Sequence, residues 1–295
     1  MRTVVIFNPQ AGKERGDVIA STAAGILTEH GLQVELHPTQ APKEASVIAR
    51  RFALEADAVV AVGGDGTINE VVNGLATAEQ AGVKAALGIV PAGTVNVLAL
   101  ELGIPFDTEA ACNIVANGRT MAFDLGRVND RLFTLMMGAG IDALTVRNIN
   151  LRAKRRYREL AFVGAGLKSG FAERPPLFLV RANGRDYRTT FFVAGNARNY
   201  AGRFGITPAA DPTDGMLDLM LFTGTTRSSL AVFWMGVPSG LHSRSPHVTY
   251  VRSTRAELTP VDGEETVWFQ TDGELAGSLP ATVTIDPGAL RVLVR

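Results

Sequence analysis

The sequence feature that most restricts how this chain can fold is a glycine-rich turn between an apolar stretch and an amphipathic helix. Residues 63–67 (Gly-Gly-Asp-Gly-Thr) follow the apolar stretch 56–62, and apolar residues with helical spacing begin again at Val71. A buried strand that enters a helix through glycines is typical of parallel α/β proteins. Because glycine lets the backbone approach a ligand and a helix N-terminus presents unpaired N–H groups, this turn suits a phosphate.

Strand and helix patterns alternate throughout residues 1–123. Short apolar runs at residues 3–7, 56–62 and 87–90 alternate with helical stripes at 18–27 and 45–52. Apolar strands joined by helices predict a parallel sheet that is covered on both faces. We therefore expect an α/β nucleotide-binding domain over residues 1–123.

From residue 124 the pattern changes to short strands separated by turns. Asn183-Gly184 lies between the runs 177–182 and 187–193, which is a strong hairpin signal. Helical spacing recurs only near residues 160–171 and 228–234. The pattern predicts an antiparallel β-sandwich over residues 124–295, from which about the last eight residues, 288–295, return to the first domain.

Charge and cysteine content exclude several classes of protein. The 29 basic residues balance the 29 acidic ones, so no overall positive field attracts nucleic acid, and we expect no nucleic-acid partner. Cys112 is the one cysteine and cannot form an intramolecular disulfide. No apolar run approaches the roughly 20 residues of a membrane-spanning helix. These features predict a cytoplasmic protein.

Three polar loops follow predicted parallel strands, at residues 8–13, 63–70 and 91–96. Ligands of open α/β sheets bind beyond the carboxyl ends of the strands, so the three loops are expected to form one phosphate site. A carboxylate beside an anion is favourable only with a cation between them, which predicts that Asp65 serves Mg²⁺. Each loop alone is equally well explained as an ordinary connector, and Thr67 with Glu70 forms a capping-box pattern that would fix the helix start. No P-loop or G-x-G-x-x-G sequence is present.

At these residues the chain resembles the diacylglycerol kinase catalytic-domain family of lipid kinases, which includes bacterial diacylglycerol kinases and relatives that act on sphingoid lipids. The resemblance covers nearly the whole chain. Its motifs are Asn8-Pro9 with Gly12, residues 63–70, Gly93-Thr94 with Asn96, Asp124-Leu125-Gly126, residues 138–143, residues 208–217, and Asp272-Gly273-Glu274. The chain departs from many bacterial members at Val97 and Leu100, where those carry Asp and Arg.

The resemblance implies a first domain like those of NAD kinases and phosphofructokinases, with ATP and Mg²⁺ as cofactors. The residues that it assigns to nucleotide binding are Asn8, Pro9, Gln10, Ala11, Gly12, Thr39, Gly63, Gly64, Asp65, Gly66, Thr67, Asn69, Glu70, Gly93, Thr94 and Asn96. For Thr39, a helix-capping role is an equally good interpretation.

The resemblance also implies the catalytic and metal-binding carboxylates. Asp65 acts at the nucleotide, and either Asp272 or Glu274 accepts the proton of the attacking hydroxyl. Without the resemblance, Asp-Gly reads as a hairpin turn. A structural Mg²⁺ is assigned to Asp211, Asp214 and Met216, with Asp124 in the same hydrogen-bonded network, although Asp214 also suits a simple turn.

The expected reaction transfers the γ-phosphate of ATP to a lipid hydroxyl, with diacylglycerol as the first candidate substrate. The basic cluster in residues 152–158, followed by apolar residues up to 171, is the expected contact with an anionic membrane surface, although a solvated helix face also explains it. A homodimer is compatible with the resemblance. Two other functions stay open: an NAD kinase-like small-molecule kinase, and a nucleotide- or lipid-binding regulator without turnover.

Overall fold

The computed structural model describes residues 1–11, 16–78, 85–141, 143–144, 176–200, 202, 204–261 and 266–295. Within them the chain divides into two compact units, residues 1–123 with 288–295, and residues 124–287. The α-helices are α1 (Gly16–Glu29), α2 (Glu44–Phe52), α3 (Asp65–Ala78), α4 (Val97–Glu101), α5 (Thr108–Asn117) and α6 (Arg227–Gly236). The strands are β1 (Arg2–Phe7), β2 (Gln33–Pro38), β3 (Ala58–Gly63), β4 (Ala86–Pro91), β5 (Arg119–Val128), β6 (Arg131–Phe133), β7 (Met136–Gly140), β8 (Phe178–Ala182), β9 (Arg185–Thr189), β10 (Phe191–Gly195), β11 (Asn199–Tyr200), β12 (Phe204–Gly205), β13 (Leu217–Phe222), β14 (Val248–Ser253), β15 (Arg255–Pro260), β16 (Trp268–Thr271), β17 (Glu274–Ser278) and β18 (Ala281–Val294).

The first unit is built on a parallel sheet with the strand order β2-β1-β3-β4. The C-terminal end of β18 pairs in parallel with β4 through Val292 and Leu87. β3 and β4 are buried along their whole length, because helices cover the sheet. This confirms the α/β architecture expected from the alternating pattern.

The ends of the helices in the first unit follow local sequence rules. After α1, Gly31 adopts a φ of 80°, a left-handed conformation that costs glycine little. At the start of α5, the Asp107 carboxylate accepts a hydrogen bond of 2.8 Å from the Ala110 N–H and so caps the helix.

The second unit is an antiparallel β-sandwich, as expected. One sheet has the order β14-β13-β10-β7-β16-β17, and the other contains β9, β8, β15 and the first part of β18, together with β5 and β6. Phe133, Phe178 and Phe192 are fully buried in the core of this unit. Asn183 and Gly184 have φ angles of 50° and 73° and join β8 to β9, which confirms the predicted hairpin.

The predicted helix at residues 160–171 and the basic cluster at 152–158 lie outside the described residues. The predicted helix at 228–234 is confirmed as α6, which is followed by two 3-10 turns, Val237–Ser239 and Leu241–Arg244. Among the helices that the structure describes, none is long and apolar enough to span a membrane.

Candidate active-site residues

The turn after β3 and the loop after β4 interlock at the carboxyl edge of the parallel sheet. The Gly63 carbonyl accepts hydrogen bonds from the Asn96 side-chain amide (2.8 Å) and from the Ala92 N–H (2.9 Å). The Asp65 carboxylate accepts one of 2.6 Å from the Val97 N–H. The structure therefore brings together two of the three loops that were expected to share this edge.

Glycine is required where these two loops touch. A Cβ atom on Gly93 would lie 2.5 Å from the Gly64 Cα and 2.4 Å from the Asn96 Oδ1, distances that real Cβ atoms do not show. At Gly66, by contrast, a Cβ would meet nothing within 4 Å, and this residue is exposed at the start of α3. The turn thus combines a sterically closed contact with an open position at a helix N-terminus.

The ends of β1 and β2 lie beside this turn. The Asn8 N–H donates to the Val62 carbonyl (3.4 Å), and the Asn8 side chain accepts from the Gln10 N–H (2.9 Å). The Thr39 N–H donates to the carbonyl of Phe7, the last residue of β1 (2.8 Å). The interpretation of Thr39 as a helix cap is wrong, because Lys43 occupies the N-cap position of α2. Gly12 lies outside the described residues.

The capping box predicted from Thr67 and Glu70 is wrong. α3 already begins at Asp65, so Thr67 lies inside the helix. The Glu70 carboxylate instead accepts hydrogen bonds from the backbone N–H groups of Lys43 (2.9 Å) and Ala45 (3.2 Å). Glu70 therefore satisfies the unpaired N–H groups at the start of α2, a neighbouring helix.

In the second unit, Asp272 is held by four hydrogen bonds from residues 134–136, which follow β6 and include the first residue of β7. Its Oδ2 accepts from the Thr134 N–H (2.8 Å) and the Thr134 hydroxyl (3.0 Å). Its Oδ1 accepts from the N–H groups of Leu135 (2.9 Å) and Met136 (3.1 Å). A carboxylate has about four lone-pair positions, so these donors fix the orientation of the group.

Asp272 also occupies a tight turn between β16 and β17. Asp272 and Gly273 have φ angles of 47° and 82°, which are those of a type I′ hairpin turn. Desolvation raises the pKa of the Asp272 carboxyl above its ordinary value, against the opposing effect of the hydrogen bonds from Thr134, Leu135 and Met136. Asp272 can therefore be both a hairpin-turn residue and a candidate base, since the turn presents a carboxylate whose pKa is raised.

Glu274 has different surroundings. Its side chain is 69% exposed and forms an ion pair of 2.9 Å with the Arg131 guanidinium. Of the two carboxylates that the sequence left open as the base, Asp272 is rigidly held and Glu274 is solvent-accessible.

The predicted metal loop is closed by its own hydrogen bonds and by Arg252. The Asp214 carboxylate accepts from the Met216 N–H (2.9 Å) and forms an ion pair with the Arg252 guanidinium. The Asp211 carboxylate accepts from the Thr213 hydroxyl (2.7 Å), and the Asp124 carboxylate accepts from the Gly215 N–H (2.7 Å). In the part of the chain that the structure describes, no three His, Cys, Asp or Glu side chains are grouped to hold a metal ion.

The chain is similar to known proteins over nearly its whole length. Residues 2–128 match the model of the diacylglycerol kinase catalytic domain, and residues 136–294 match that of the YegS C-terminal NAD kinase beta sandwich-like domain. A diacylglycerol kinase of Mycobacterium tuberculosis is 30% identical over 305 residues, with 99% of this chain and 94% of the relative covered. One from Bacillus subtilis is 29% identical over 283 residues, covering 95% and 91%.

The chain belongs to the diacylglycerol kinase catalytic-domain family. The expected resemblance is thereby confirmed. A solved structure described as a diacylglycerol kinase of Bacillus anthracis has the same fold, with a TM-score of 0.82, 20% identity, and 100% of this chain and 96% of that chain covered.

The residues of this diacylglycerol kinase-family chain fit a nucleotide and a hard cation by their chemistry. Gly64 and Gly66 lie at the N-terminus of the 14-residue helix α3, where backbone N–H groups favour an anion. The candidate metal ligands in the loop 211–216 are all oxygen atoms, namely one carboxylate and the backbone carbonyls of Asp211 and Met216, which suits Mg²⁺. Arg252 pairs with the Asp214 carboxylate and so competes with a cation there.

Three residues of the site in this family member, Thr134, Arg131 and Arg252, are not marked by any local sequence pattern. Thr134 is 138 positions from the Asp272 that it contacts, so no local pattern marks it. Arg252 lies directly opposite Asp218 in the register of β13 and β14, a pairing that depends on the fold.

Proposed function

We propose that this protein is an ATP-dependent lipid kinase that transfers the γ-phosphate of ATP to the hydroxyl of diacylglycerol, giving phosphatidic acid and ADP. Membership in a family whose relatives from Bacillus subtilis and Mycobacterium tuberculosis are named diacylglycerol kinase supports this substrate. The observation that carries the proposal is the contact between Gly64 and Gly93 at the carboxyl edge of the parallel sheet.

The nucleotide is bound by the first unit in this proposal. The N–H groups at the start of α3 bind phosphate oxygens, and the absence of side chains at Gly64 and Gly66 lets those oxygens reach the backbone. Asn96 holds the Gly63 carbonyl and Asp65 holds the Val97 N–H, so both loops are fixed before the ligand arrives. Mg²⁺ bound with ATP would supply positive charge against the phosphates, and Asp65 is the carboxylate of this turn that would hold it.

The second unit supplies the base. The lipid hydroxyl oxygen bonds to the γ-phosphorus, the bond from that phosphorus to the bridging oxygen of ADP breaks, and the hydroxyl proton moves to Asp272. Asp272 suits this role because its pKa is raised and its position is fixed by three backbone N–H groups. The Thr134 hydroxyl can turn from donor to acceptor when the carboxyl becomes protonated, so the proton does not have to displace a backbone donor.

A phosphotransfer assay tests the proposal. Radiolabelled ATP is incubated with dioctanoylglycerol, sphingosine or NAD, and the product is identified by mass. We expect label in phosphatidic acid, and a loss of at least about tenfold in Asp65→Asn, which keeps an oxygen acceptor for the Val97 N–H but loses the charge toward Mg²⁺. Label in NADP would favour the NAD kinase-like alternative, and ATP binding without transfer to any acceptor would favour the regulator.

The proposed substrate resides in a bilayer, so the proposal includes a cytoplasmic protein that contacts the inner membrane face. The basic cluster at residues 152–158 is one proposed contact. Reversing its charges should weaken vesicle binding at low salt while turnover of a soluble substrate stays the same, and unchanged binding would reject that contact.

A further inference from the structure

Helix α6 presents a ridge of large apolar side chains to solvent. Val232, Met235 and Leu241 are 60%, 64% and 55% exposed. Val232 and Met235 are three positions apart and therefore lie on one helix face. Leu241 follows in the second 3-10 turn, and its carbonyl carbon lies 3.3 Å from where a Cβ on Gly236 would stand, which places it beside the end of α6. We call these three residues the apolar ridge.

The apolar ridge cannot turn inward, because the inner face of α6 is already filled with aromatic side chains. Phe233 and Trp234 are fully buried and pack against Phe191 and Phe222, with ring centroids 4.7 to 5.6 Å apart. The helix is therefore fixed with its second apolar face outward. Exposed apolar side chains grouped on one segment are a candidate interaction surface.

The segment that carries the apolar ridge contains no acidic residue. No Asp or Glu occurs at positions 219–256, in a chain with 29 acidic residues. Of the arginines in this stretch, Arg252 and Arg255 form ion pairs with Asp214 and Glu257, so the positive charge that bears on the ridge is that of Arg244. Arg244 is exposed at the end of the turn that carries Leu241. Apolar side chains beside an exposed arginine, on a segment without acidic residues, are complementary to an anionic lipid surface.

The size of the apolar ridge also favours a bilayer over a protein partner. A stable protein interface takes about 800 Å² from each partner. Two side chains on α6 and one on the following 3-10 turn offer less than this, whereas binding to a bilayer surface grows with the apolar area buried and with the attraction to anionic lipid.

We propose that the apolar ridge, together with Arg244, inserts into the headgroup layer of an anionic phospholipid bilayer. This surface gives the second unit a direct contact with the membrane that holds the lipid substrate, and in that sense the inference rests on the proposed function. The apolar ridge and Arg244 are different residues from the basic cluster at 152–158, and we expect them to bind vesicles without ATP.

Vesicle co-sedimentation without ATP tests the inference. Vesicles of phosphatidylcholine with phosphatidylglycerol are compared with vesicles of phosphatidylcholine alone. We expect Val232→Ser with Met235→Ser to lower the partition coefficient about tenfold. Arg244→Gln should lower it about fivefold on the anionic vesicles alone, an effect that high salt removes. Val47→Ser, which is 69% exposed on α2, and the exposed Arg185→Gln are matched controls that should bind like the wild type.

Each outcome decides the inference. If the ridge variants bind vesicles like the wild type, the inference is overturned. It is also overturned if reversing the charges at 152–158 abolishes vesicle binding and the ridge substitutions do not. A change in oligomeric state on size-exclusion chromatography, with vesicle binding intact, would assign the ridge to a protein contact instead. Circular dichroism melting confirms that the variants fold. Phosphotransfer to dihexanoylglycerol below its micelle concentration separates the two proposals, because it depends on the kinase function and not on the ridge.

Discussion

Thr134 donates two hydrogen bonds to the same oxygen of Asp272, one from its backbone N–H at 2.8 Å and one from its hydroxyl at 3.0 Å. The two donors differ in what they can do. A backbone N–H is fixed as a donor, whereas a hydroxyl can rotate and accept. The hydroxyl is therefore the component of this arrangement that can adjust when Asp272 takes up a proton.

Replacing this hydroxyl should change the pH dependence of turnover. A hydrogen bond to the ionised carboxylate lowers its pKa, so Thr134→Val should raise the pKa of Asp272 further. The acid limb of the kcat/KM profile should then move to higher pH by up to about 0.7 unit, which corresponds to ~1 kcal/mol. Thr134→Ser keeps the hydroxyl and should keep the wild-type profile. Identical profiles for all three proteins would contradict the assignment of Asp272 as the base.

Substitutions of Asp272 and of Glu274 should have different effects on stability and on turnover when both are measured on the same variants. Asp272→Asn replaces one carboxylate oxygen by an NH₂ that faces backbone donors, so we expect a loss of about 2–3 kcal/mol in urea unfolding as well as loss of turnover. Glu274→Gln removes an exposed ion pair with Arg131 and should change stability by less than ~0.5 kcal/mol. Turnover that survives in Asp272→Asn and vanishes in Glu274→Gln would reverse the assignment.

Local patterns predicted those parts of the fold in which neighbours along the chain decide the structure. The hairpin at Asn183-Gly184 needs two residues that tolerate positive φ, and the end of α1 needs Gly31 for the same reason. The carboxyl-edge loops were predictable because parallel strands place their carboxyl ends together. Such features depend on sequence spacing alone.

The roles of Glu70 and Asp272 could not be predicted in this way. A glutamate near the start of a helix reads as part of that helix's own cap, but the donors that Glu70 meets lie 25 and 27 positions earlier in α2. Asp272 lies more than 130 positions from the donors that hold it. Tertiary packing brings these partners together, and the periodicity of the sequence carries no information about such long-range contacts.

Glycine substitutions should distinguish the closed and open positions of the nucleotide loops. Gly93→Ala would force a Cβ against the Gly64 Cα, so we expect a loss of about 2 kcal/mol or more in stability. Gly66→Ala meets nothing within 4 Å and should leave the melting temperature close to the wild-type value. If phosphate occupies that open space, Gly66→Ala should raise the KM for ATP severalfold. Wild-type kinetics in Gly66→Ala would show that the phosphate does not bind at this turn.

The contact of Glu70 with α2 predicts a stability effect. Glu70→Ala leaves the N–H groups of Lys43 and Ala45 without their acceptor and should cost about 1 kcal/mol in urea unfolding. Glu70→Gln keeps one acceptor oxygen and should recover about half of that loss. The KM for ATP separates this role from the nucleotide contact predicted from sequence, because a purely capping residue leaves it unchanged.

Arg252 should set how strongly the loop 211–216 binds a divalent cation. Its guanidinium pairs with Asp214 and lies 3.6 Å from the Asp218 carboxylate, so a cation at Asp214 has to compete with a resident positive charge. Arg252→Gln removes that competitor, and ligand that binds the folded state alone raises the melting temperature. We expect Mg²⁺ to raise the melting temperature more in Arg252→Gln than in the wild type. In the double variant, Arg252→Gln with Asp214→Asn, Mg²⁺ should not raise the melting temperature. Each protein is compared with itself in EDTA, which removes the direct effect of losing the ion pair. An equal response to Mg²⁺ in all three proteins would show that the cation does not bind at Asp214, and the loop would then owe its shape to Arg252 and its own hydrogen bonds.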